Sequence, residues 1–438
     1  MNINIKNYLI IFSSTLIYLS FFLGFFFGEN SIGSGGYKGD LSWIWLNLEI
    51  FKTNNILNAV HHPDFFGNRT PLIYILHAYL NPLISNIDSY RLTVFILSFL
   101  APIIFFICLI QKFKNTNKII LFFISSFILL SPFYRTSAYW GLEMNYSIIT
   151  MLLSIFFLNI LLKRKNENNF NLYIIITLLT LTSSLCIYFD QKFLIIPMLV
   201  LIQIIKLQVQ LKFKIYSIIN YIIFSIPFFY LIFIWNGIVP PTTQDANPNT
   251  VTSISRLNFL WFEHLGYATT MIAFYLLPII FFINNNFIIT AKNFFLDKIN
   301  YFLIALFFIY LIYFINFVNF SEFTNTKYLM GLGFIHKISI IFFNDIFIQE
   351  IFTYFSFLIS WIIILIFLEK SLNNFFILFY FYFLSLILWP LMQEYFDPII
   401  FLFAFTIFST KLIINYQNSI FLFLYLSIFL ICANVYYY

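Results

Sequence analysis

The sequence predicts an all-α polytopic membrane protein, on two observations: an excess of apolar residues and their grouping into long runs. Of 438 residues, 61% are hydrophobic and 9% are charged, whereas roughly a quarter of the residues in a soluble domain are charged. The runs lack the two-residue alternation of a transmembrane β-strand. In lipid a helix satisfies its own backbone N–H and C=O groups, so we expect the runs to be helices.

About thirteen apolar runs are predicted to cross the membrane. Two of them, 118–132 and 193–207, are shorter than the roughly 20 residues that a full crossing needs. The predicted spans are 8–27, 91–111, 118–132, 144–162, 171–187, 193–207, 215–235, 268–284, 299–317, 346–367, 372–389, 398–414 and 417–436. Because no Pro/Gly-rich linker and no internal repeat divides them, the chain is interpreted as a single membrane domain, 1–438.

The distribution of charge predicts the orientation of the chain. One set of alternate loops holds 14 of the 23 basic residues but only 3 of the 17 acidic ones. By the positive-inside rule this face is cytoplasmic. The other face carries the remaining acids and the longer loops. With an odd number of spans, the N-terminus is predicted inside and the C-terminus outside, in the cell (inner) membrane.

Composition also argues against nucleic-acid and metal-thiolate sites. The net charge is +6, but the charges lie in loops, and no basic stripe is interleaved with base-stacking aromatic residues. Nucleic acid is therefore not an expected partner. The three cysteines, Cys108, Cys186 and Cys432, lie inside apolar runs without the spacing of metal ligands or of a disulfide framework.

The longest polar stretch follows the first span, at residues 28–90. Asp40 is a predicted helix N-cap, because a carboxylate there accepts hydrogen bonds from the first free N–H groups. Behind it, Asn47 and Glu49 lie off an apolar side whose residues recur at helical spacing, namely Leu41, Ile44, Trp45, Leu48 and Phe51. Such a helix lies in the membrane interface. The sequence therefore predicts interfacial helices in this first outer loop.

Three motifs give the first part of the chain a resemblance to a known family. The Arg-Thr-Pro-Leu sequence of residues 69–72 is similar to a Lys-Pro-Pro-Leu step, with Arg for Lys and Thr for the first Pro. Glu143 supplies an acidic residue in the next outer loop, and Lys192 opens an apolar run that contains a proline. In this order the motifs resemble those of GT-C glycosyltransferases, especially protein O-mannosyltransferases and the enzymes that add aminoarabinose to lipid A.

The resemblance implies an organisation and a set of roles. It makes 1–210 a GT-C-like core and 211–438 a set of additional transmembrane helices. In GT-C enzymes an acceptor hydroxyl attacks the anomeric carbon of a sugar carried on polyprenyl phosphate. This chemistry needs a base and cations for the leaving phosphate. The implied catalytic residues are Asp40 as base and Glu143, which orients the acceptor or shares a divalent cation with Asp40; the implied phosphate-binding residues are Arg69, Lys192 and Arg135.

Each of these residues also has a purely structural interpretation. Asp40 would be a helix cap and Glu143 a solvated acid at a helix start, where the dipole favours negative charge. The cations would extend from the interface toward water. Asp190 lies beside Lys192 and is the expected partner of an ion pair with it.

The predicted function is a membrane glycosyltransferase that moves a sugar to a lipid, glycan or protein acceptor in the envelope, and two other functions fit a multi-spanning chain. An envelope polysaccharide polymerase or O-antigen ligase would carry its basic outer loop late, whereas here the long polar loop comes first. A transporter or flippase of a lipid-linked sugar would place ionisable residues within its spans, often in paired repeats. The predicted spans hold almost no charge.

Overall fold

The structure, a computed structural model, describes residues 3–30, 36–67, 69–164, 170–246, 260–283, 292–318, 320, 331–369 and 371–437. Every regular element among these residues is helical, which confirms the all-α prediction for this part of the chain. The chain divides into two compact units, Met1–Arg256 with Leu426–Tyr438 and Leu257–Tyr425. One membrane domain with a GT-C-like core over 1–210 stays a prediction.

The first unit contains the residues of the predicted first outer loop. Local caps define several helix starts: Asn86 forms a capping box with Ser89, and the Ser131 side chain accepts from the Tyr134 N–H. The α-helices are Ile3–Phe26, Gly36–Thr53, Ile56–Val60, Leu72–Ile75, Ile87–Ser98, Leu100–Lys112, Lys118–Ser126, Pro132–Trp140, Met144–Arg164, Phe170–Phe189, Ile195–Lys206, Leu211–Trp235 and Pro241–Ala246.

The second unit is built from further apolar helices. Its described α-helices are His264–Ile280, Lys298–Phe317, Gly333–Phe342, Ile346–Leu368, Leu372–Ile387 and Ile399–Thr406. The last helix of the chain, Tyr416–Tyr437, begins in this unit and passes into the first unit at Leu426.

Eight helices of the described residues are long and apolar enough to cross a membrane. A ninth span would result if the pair Lys118–Leu130 and Pro132–Trp140, bent by 66°, crosses as one. The eight are Ile5–Phe26, Ile87–Lys112, Met144–Arg164, Phe170–Phe189, Leu211–Trp235, Lys298–Phe317, Ile346–Leu368 and Tyr416–Tyr437. A polytopic helical membrane protein is thus confirmed, whereas the total of about thirteen spans and the orientation stay predictions.

Four of the predicted spans form helices that are too short to count among these eight. They are Ile195–Lys206, His264–Ile280, Leu372–Ile387 and Ile399–Thr406. The last of them has 8 residues, which at 1.5 Å per residue extend about 12 Å, far less than the roughly 30 Å of a hydrocarbon core. Apolar composition over 398–414 therefore does not produce a continuous helix, since residues 408–415 are not helical.

The long helices expose apolar side chains as a lipid-facing helix does. On helix Leu211–Trp235 the exposed residues include Ile215, Ile218, Ile219, Ile222, Ile223, Ile226, Phe229 and Phe233. A soluble protein does not leave so large a continuous apolar patch in water. These faces fit a hydrocarbon environment.

Candidate functional site

Four of the five predicted site residues contribute to one group of charges in the first unit. Arg69 is at its centre, with Nε 3.3 Å from Asp190 Oδ2 and Nη1 3.8 Å from Glu143 Oε2. Lys192 Nζ lies 3.3 Å from the same Asp190 oxygen. Asp40 is grouped with them only because the charge of Arg69 acts to lower the pKa of its carboxyl group. These five residues, here called the charge cluster, combine two cations with three carboxyl groups.

Glu143 reaches the cluster because a helix ends just before it. Helix Pro132–Trp140 stops at Gly141, whose φ of +73° is left-handed and is favoured by glycine because it lacks a Cβ. A Cβ at this position would lie 2.5 Å from the Tyr90 ring, and the Tyr90 hydroxyl donates to the Gly141 carbonyl. Glu143 then directly precedes Met144, the first residue of the next helix.

Asp190 and Lys192 reach the cluster at another helix end. Asp190 follows helix Phe170–Phe189 and caps the short 3-10 turn of residues 191–193, its carboxylate accepting the Lys192 N–H at 3.2 Å. The side chains of Asp190 and Lys192 are 6% and 5% exposed. The predicted ion pair between them is confirmed. Because the pair is buried, it needs the further hydrogen bonds and charges around it to offset desolvation.

The segment before Arg69 is held by hydrogen bonds to residues far along the chain. Thr242 Oγ1 donates to the Phe65 carbonyl at 2.6 Å. The Gly67 N–H donates to Thr243 Oγ1 at 3.1 Å, and that hydroxyl lies 3.2 Å from the Gly67 carbonyl. The helix Pro241–Ala246 therefore fixes the backbone that leads to Arg69.

The surroundings of the three carboxyl groups shift their pKa values in different directions. Burial raises the pKa of Glu143, although Arg69 acts to lower it. Burial also acts to raise the pKa of Asp190, but Lys192 and Arg69 outweigh it and that pKa is lowered. The Asp40 side chain is exposed, yet neighbouring protein atoms remove enough water to raise its pKa against the effect of Arg69. Asp190 is thus the most strongly ionised of the three.

Asp40 does not cap its helix, so this part of the prediction is wrong. The helix begins at Gly36, which places Asp40 more than one turn inside it. Asn47, predicted to lie off the apolar side, is buried at 2% exposure. The Asp40 carboxyl group is exposed and can still contact a substrate, although it does not cap the helix.

Arg135 is not brought into the charge cluster. It forms a bidentate pair with Glu29, with Nε 2.8 Å from Oε1 and Nη2 against Oε2. Its Nη1 also donates to Ser20 Oγ and to the Leu129 carbonyl. The carboxylate that pairs with Arg135 is thus Glu29, which is not a residue of the charge cluster, and Arg135 is left out of the candidate site for that reason.

The structure does not support the predicted divalent cation shared by Asp40 and Glu143 with a set of ligands among the described residues. Across the described residues, no group of three or more His, Cys, Asp or Glu side chains is arranged to hold a metal ion.

Two contributors to the site were missed or only half recognised from the sequence. Asp190 was expected as the partner of Lys192, but its contact with Arg69 was not. Tyr74 was not singled out, yet its hydroxyl donates to Glu143 Oε1 at 3.3 Å. Its position close after the Arg-Thr-Pro-Leu motif was the available signal.

No family model matches this chain, and no match was found among curated proteins or solved structures.

Proposed function

We propose that the protein is a membrane glycosyltransferase that moves a sugar from a polyprenyl-phosphate donor to an envelope acceptor on the outer face of the inner membrane. The observation that carries the proposal is the charge cluster. Asp40, Arg69, Glu143 and Lys192 come from four separate stretches of sequence. Ion pairs of Arg69 and Asp190 join Arg69, Glu143 and Lys192, and the charge of Arg69 acts on the pKa of Asp40. A carboxylate beside paired cations suits a reaction that releases a proton and a phosphate.

In this reaction the acceptor oxygen forms a bond to the anomeric carbon while the bond from that carbon to the phosphate oxygen breaks. Asp40 takes the hydroxyl proton, and a base within hydrogen-bond reach contributes about 10²–10⁴-fold. The polyprenyl phosphate leaves with the electron pair, and Arg69 and Lys192 stabilise its charge. Glu143 orients the acceptor. No further reactant is needed for the balance of atoms.

The raised pKa of Asp40 suits this role. A stronger base transfers a proton more readily, and the best catalytic base has a pKa close to the working pH. Partial desolvation raises the pKa of Asp40, and Arg69 keeps the rise limited. Asp190, held ionised by Lys192 and Arg69, keeps both cations in place and is assigned no proton transfer.

The transporter alternative is less well supported. Glu143 lies directly before helix Met144–Arg164 and Asp190 directly after helix Phe170–Phe189, so these carboxyl groups lie at span ends. Transporters place their ionisable residues near the middle of the membrane. The polymerase or ligase alternative has no observation in its favour among the described residues.

The first test is transfer from a panel of radiolabelled polyprenyl-phosphate sugars by the purified protein in detergent. We expect wild type to release or transfer one of the sugars and Asp40→Asn to lose that activity. The matched control is Glu49→Gln, which neutralises an exposed acid on the same helix and should retain activity. Normal transfer by Asp40→Asn would remove Asp40 as the base, and no turnover or binding of any donor would overturn the proposed function.

A further inference from the structure

A chain of three side chains runs into the charge cluster from its buried side. The Tyr74 hydroxyl donates to Glu143 Oε1 at 3.3 Å. Asn47 Nδ2 in turn donates to the Tyr74 hydroxyl oxygen at 3.3 Å. Asn47, Tyr74 and Glu143 are 2%, 3% and 6% exposed, so water does not readily replace these hydrogen bonds.

The direction of this chain is fixed at Asn47. Its Oδ1 accepts the Phe66 N–H at 3.2 Å, and its Nδ2 donates to the Phe66 carbonyl. Since both ends of the amide are engaged by one backbone unit, the oxygen and nitrogen cannot exchange places without losing both bonds. The second N–H of Asn47 therefore points to Tyr74, and the tyrosine oxygen accepts it.

A tyrosine that accepts from Asn47 directs its own proton elsewhere, here to Glu143. Burial raises the pKa of Tyr74 well above its ordinary value, so the hydroxyl keeps its proton and stays a donor. This distinguishes the two oxygens of Glu143: Oε1 is occupied by Tyr74, whereas Oε2 faces Arg69 at 3.8 Å. The carboxyl group is thereby held with one oxygen toward the cations of the charge cluster.

Asn47 also acts on the other side of the site. Phe66, which it holds at both the N–H and the carbonyl, lies three residues before Arg69. One side chain thus fixes the orientation of Glu143, through Tyr74, and the backbone that carries Arg69.

We propose that Asn47 and Tyr74 are positioning residues of the charge cluster, with Tyr74 orienting Glu143 and Asn47 orienting both Tyr74 and the backbone before Arg69. Their role in catalysis depends on the proposed function, but their action on Glu143 does not. Glu143 is faced by Arg69, Asp190 and Tyr74, and of these Tyr74 is the neutral donor.

The test is an infrared titration of Glu143 in the purified full-length protein, with Glu143→Gln used to assign the carboxyl band. A donor that stabilises the carboxylate lowers the pKa, so Tyr74→Phe should move the midpoint upward by about half to one pH unit. The control is Tyr134→Phe, which removes another buried hydroxyl, one that donates to the Ser98 carbonyl, and should leave the midpoint in place.

Turnover gives the second readout. Tyr74→Phe should lower kcat by about tenfold with the donor KM little changed, whereas Asn47→Ala should lower kcat and also raise the donor KM, because the segment before Arg69 is released. An unmoved Glu143 midpoint in Tyr74→Phe overturns the proposal whatever the activity; if that variant fails to fold, the same midpoint in Asn47→Ala decides. If Tyr74→Phe moves the Glu143 midpoint but the wild-type protein transfers no sugar, the positioning role stands and the proposed function is refuted.

Discussion

At the scale of single residues, one guanidinium connects three carboxyl groups that behave differently. Arg69 acts to lower the pKa of Asp40, Glu143 and Asp190 alike. Only Asp190 ends with a lowered pKa, because Lys192 adds a second cation to it. The sequence identified the ionisable residues, but not their protonation, since desolvation and distance to a cation are set by the fold.

The pH dependence of transfer should report the contact between Arg69 and Asp40. The base acts when ionised, so activity is lost as the pH falls through the pKa of Asp40. Removing the cation by Arg69→Ala raises that pKa further, so the acidic limb of the kcat profile should move to higher pH. The donor KM should also rise, because a phosphate-binding group is lost.

The control for this prediction is Arg164→Ala, which removes an exposed arginine at the far end of the helix that begins after Glu143. Its acidic limb and donor KM should match those of wild type. If the acidic limb does not move in Arg69→Ala, the charge of Arg69 does not act on the catalytic base, and the predicted effect of Arg69 on Asp40 is wrong.

At the scale of elements, the site is made where helices end. Gly141 ends one helix so that Glu143 can turn inward, and Asp190 caps the 3-10 turn that presents Lys192. The segment 65–67 is fixed by Thr242 and Thr243, about 176 residues later in the chain. The order of motifs in the sequence pointed to the stretches that carry Glu143 and Lys192. It could not point to the hydrogen bonds of Thr242 and Thr243, because nothing in the local sequence indicates a contact with residues so far away.

Removing the hydrogen bond between Thr243 and the backbone of Gly67 should weaken donor binding. Thr243→Val keeps the shape of the side chain but leaves the buried Gly67 N–H without its hydroxyl acceptor, which costs roughly 1–3 kcal/mol. We expect the donor KM to rise several-fold with kcat less affected, and the Gly67 amide to exchange its hydrogen faster.

Thr177→Val is the matched control, since Thr177 pairs with the Tyr216 hydroxyl at 2.7 Å on two long helices of the same unit. It should change neither the donor KM nor the exchange at Gly67. Equal effects of the two substitutions would mean that Thr243 acts through general stability.

At the scale of the whole molecule, the candidate site belongs to the first unit alone. All five residues of the charge cluster, together with Asn47, Tyr74 and Thr243, precede Arg256. The predicted core, 1–210, contains the cluster but leaves out the helix Pro241–Ala246 that supports it. The additional helices of the second unit carry no residue of this site.

The number of spans determines where the C-terminus lies. An odd total puts the two termini on opposite sides and an even total on the same side. Among the described residues eight helices, or nine if the bent pair of residues 118–140 crosses as one, are long and apolar enough to cross, and the total predicted from the sequence is about thirteen. The charge distribution predicts the N-terminus inside and the C-terminus outside. Reporter fusions at the two ends should therefore give a cytoplasmic signal at the first and an external signal at the second. A cytoplasmic signal at both ends would contradict the predicted orientation.

The sequence by itself determined that this is a helical membrane protein, because apolar composition and run length are local properties that lipid converts directly into helices. It also named Asp40, Arg69, Glu143 and Lys192. Only the tertiary structure decided that Asp190 brings Arg69 and Lys192 together, that Arg69 also reaches Glu143, and that Arg135 pairs with Glu29 instead. The reason is physical: contacts between distant residues, and the desolvation that sets their charge, exist only once the chain has folded around them.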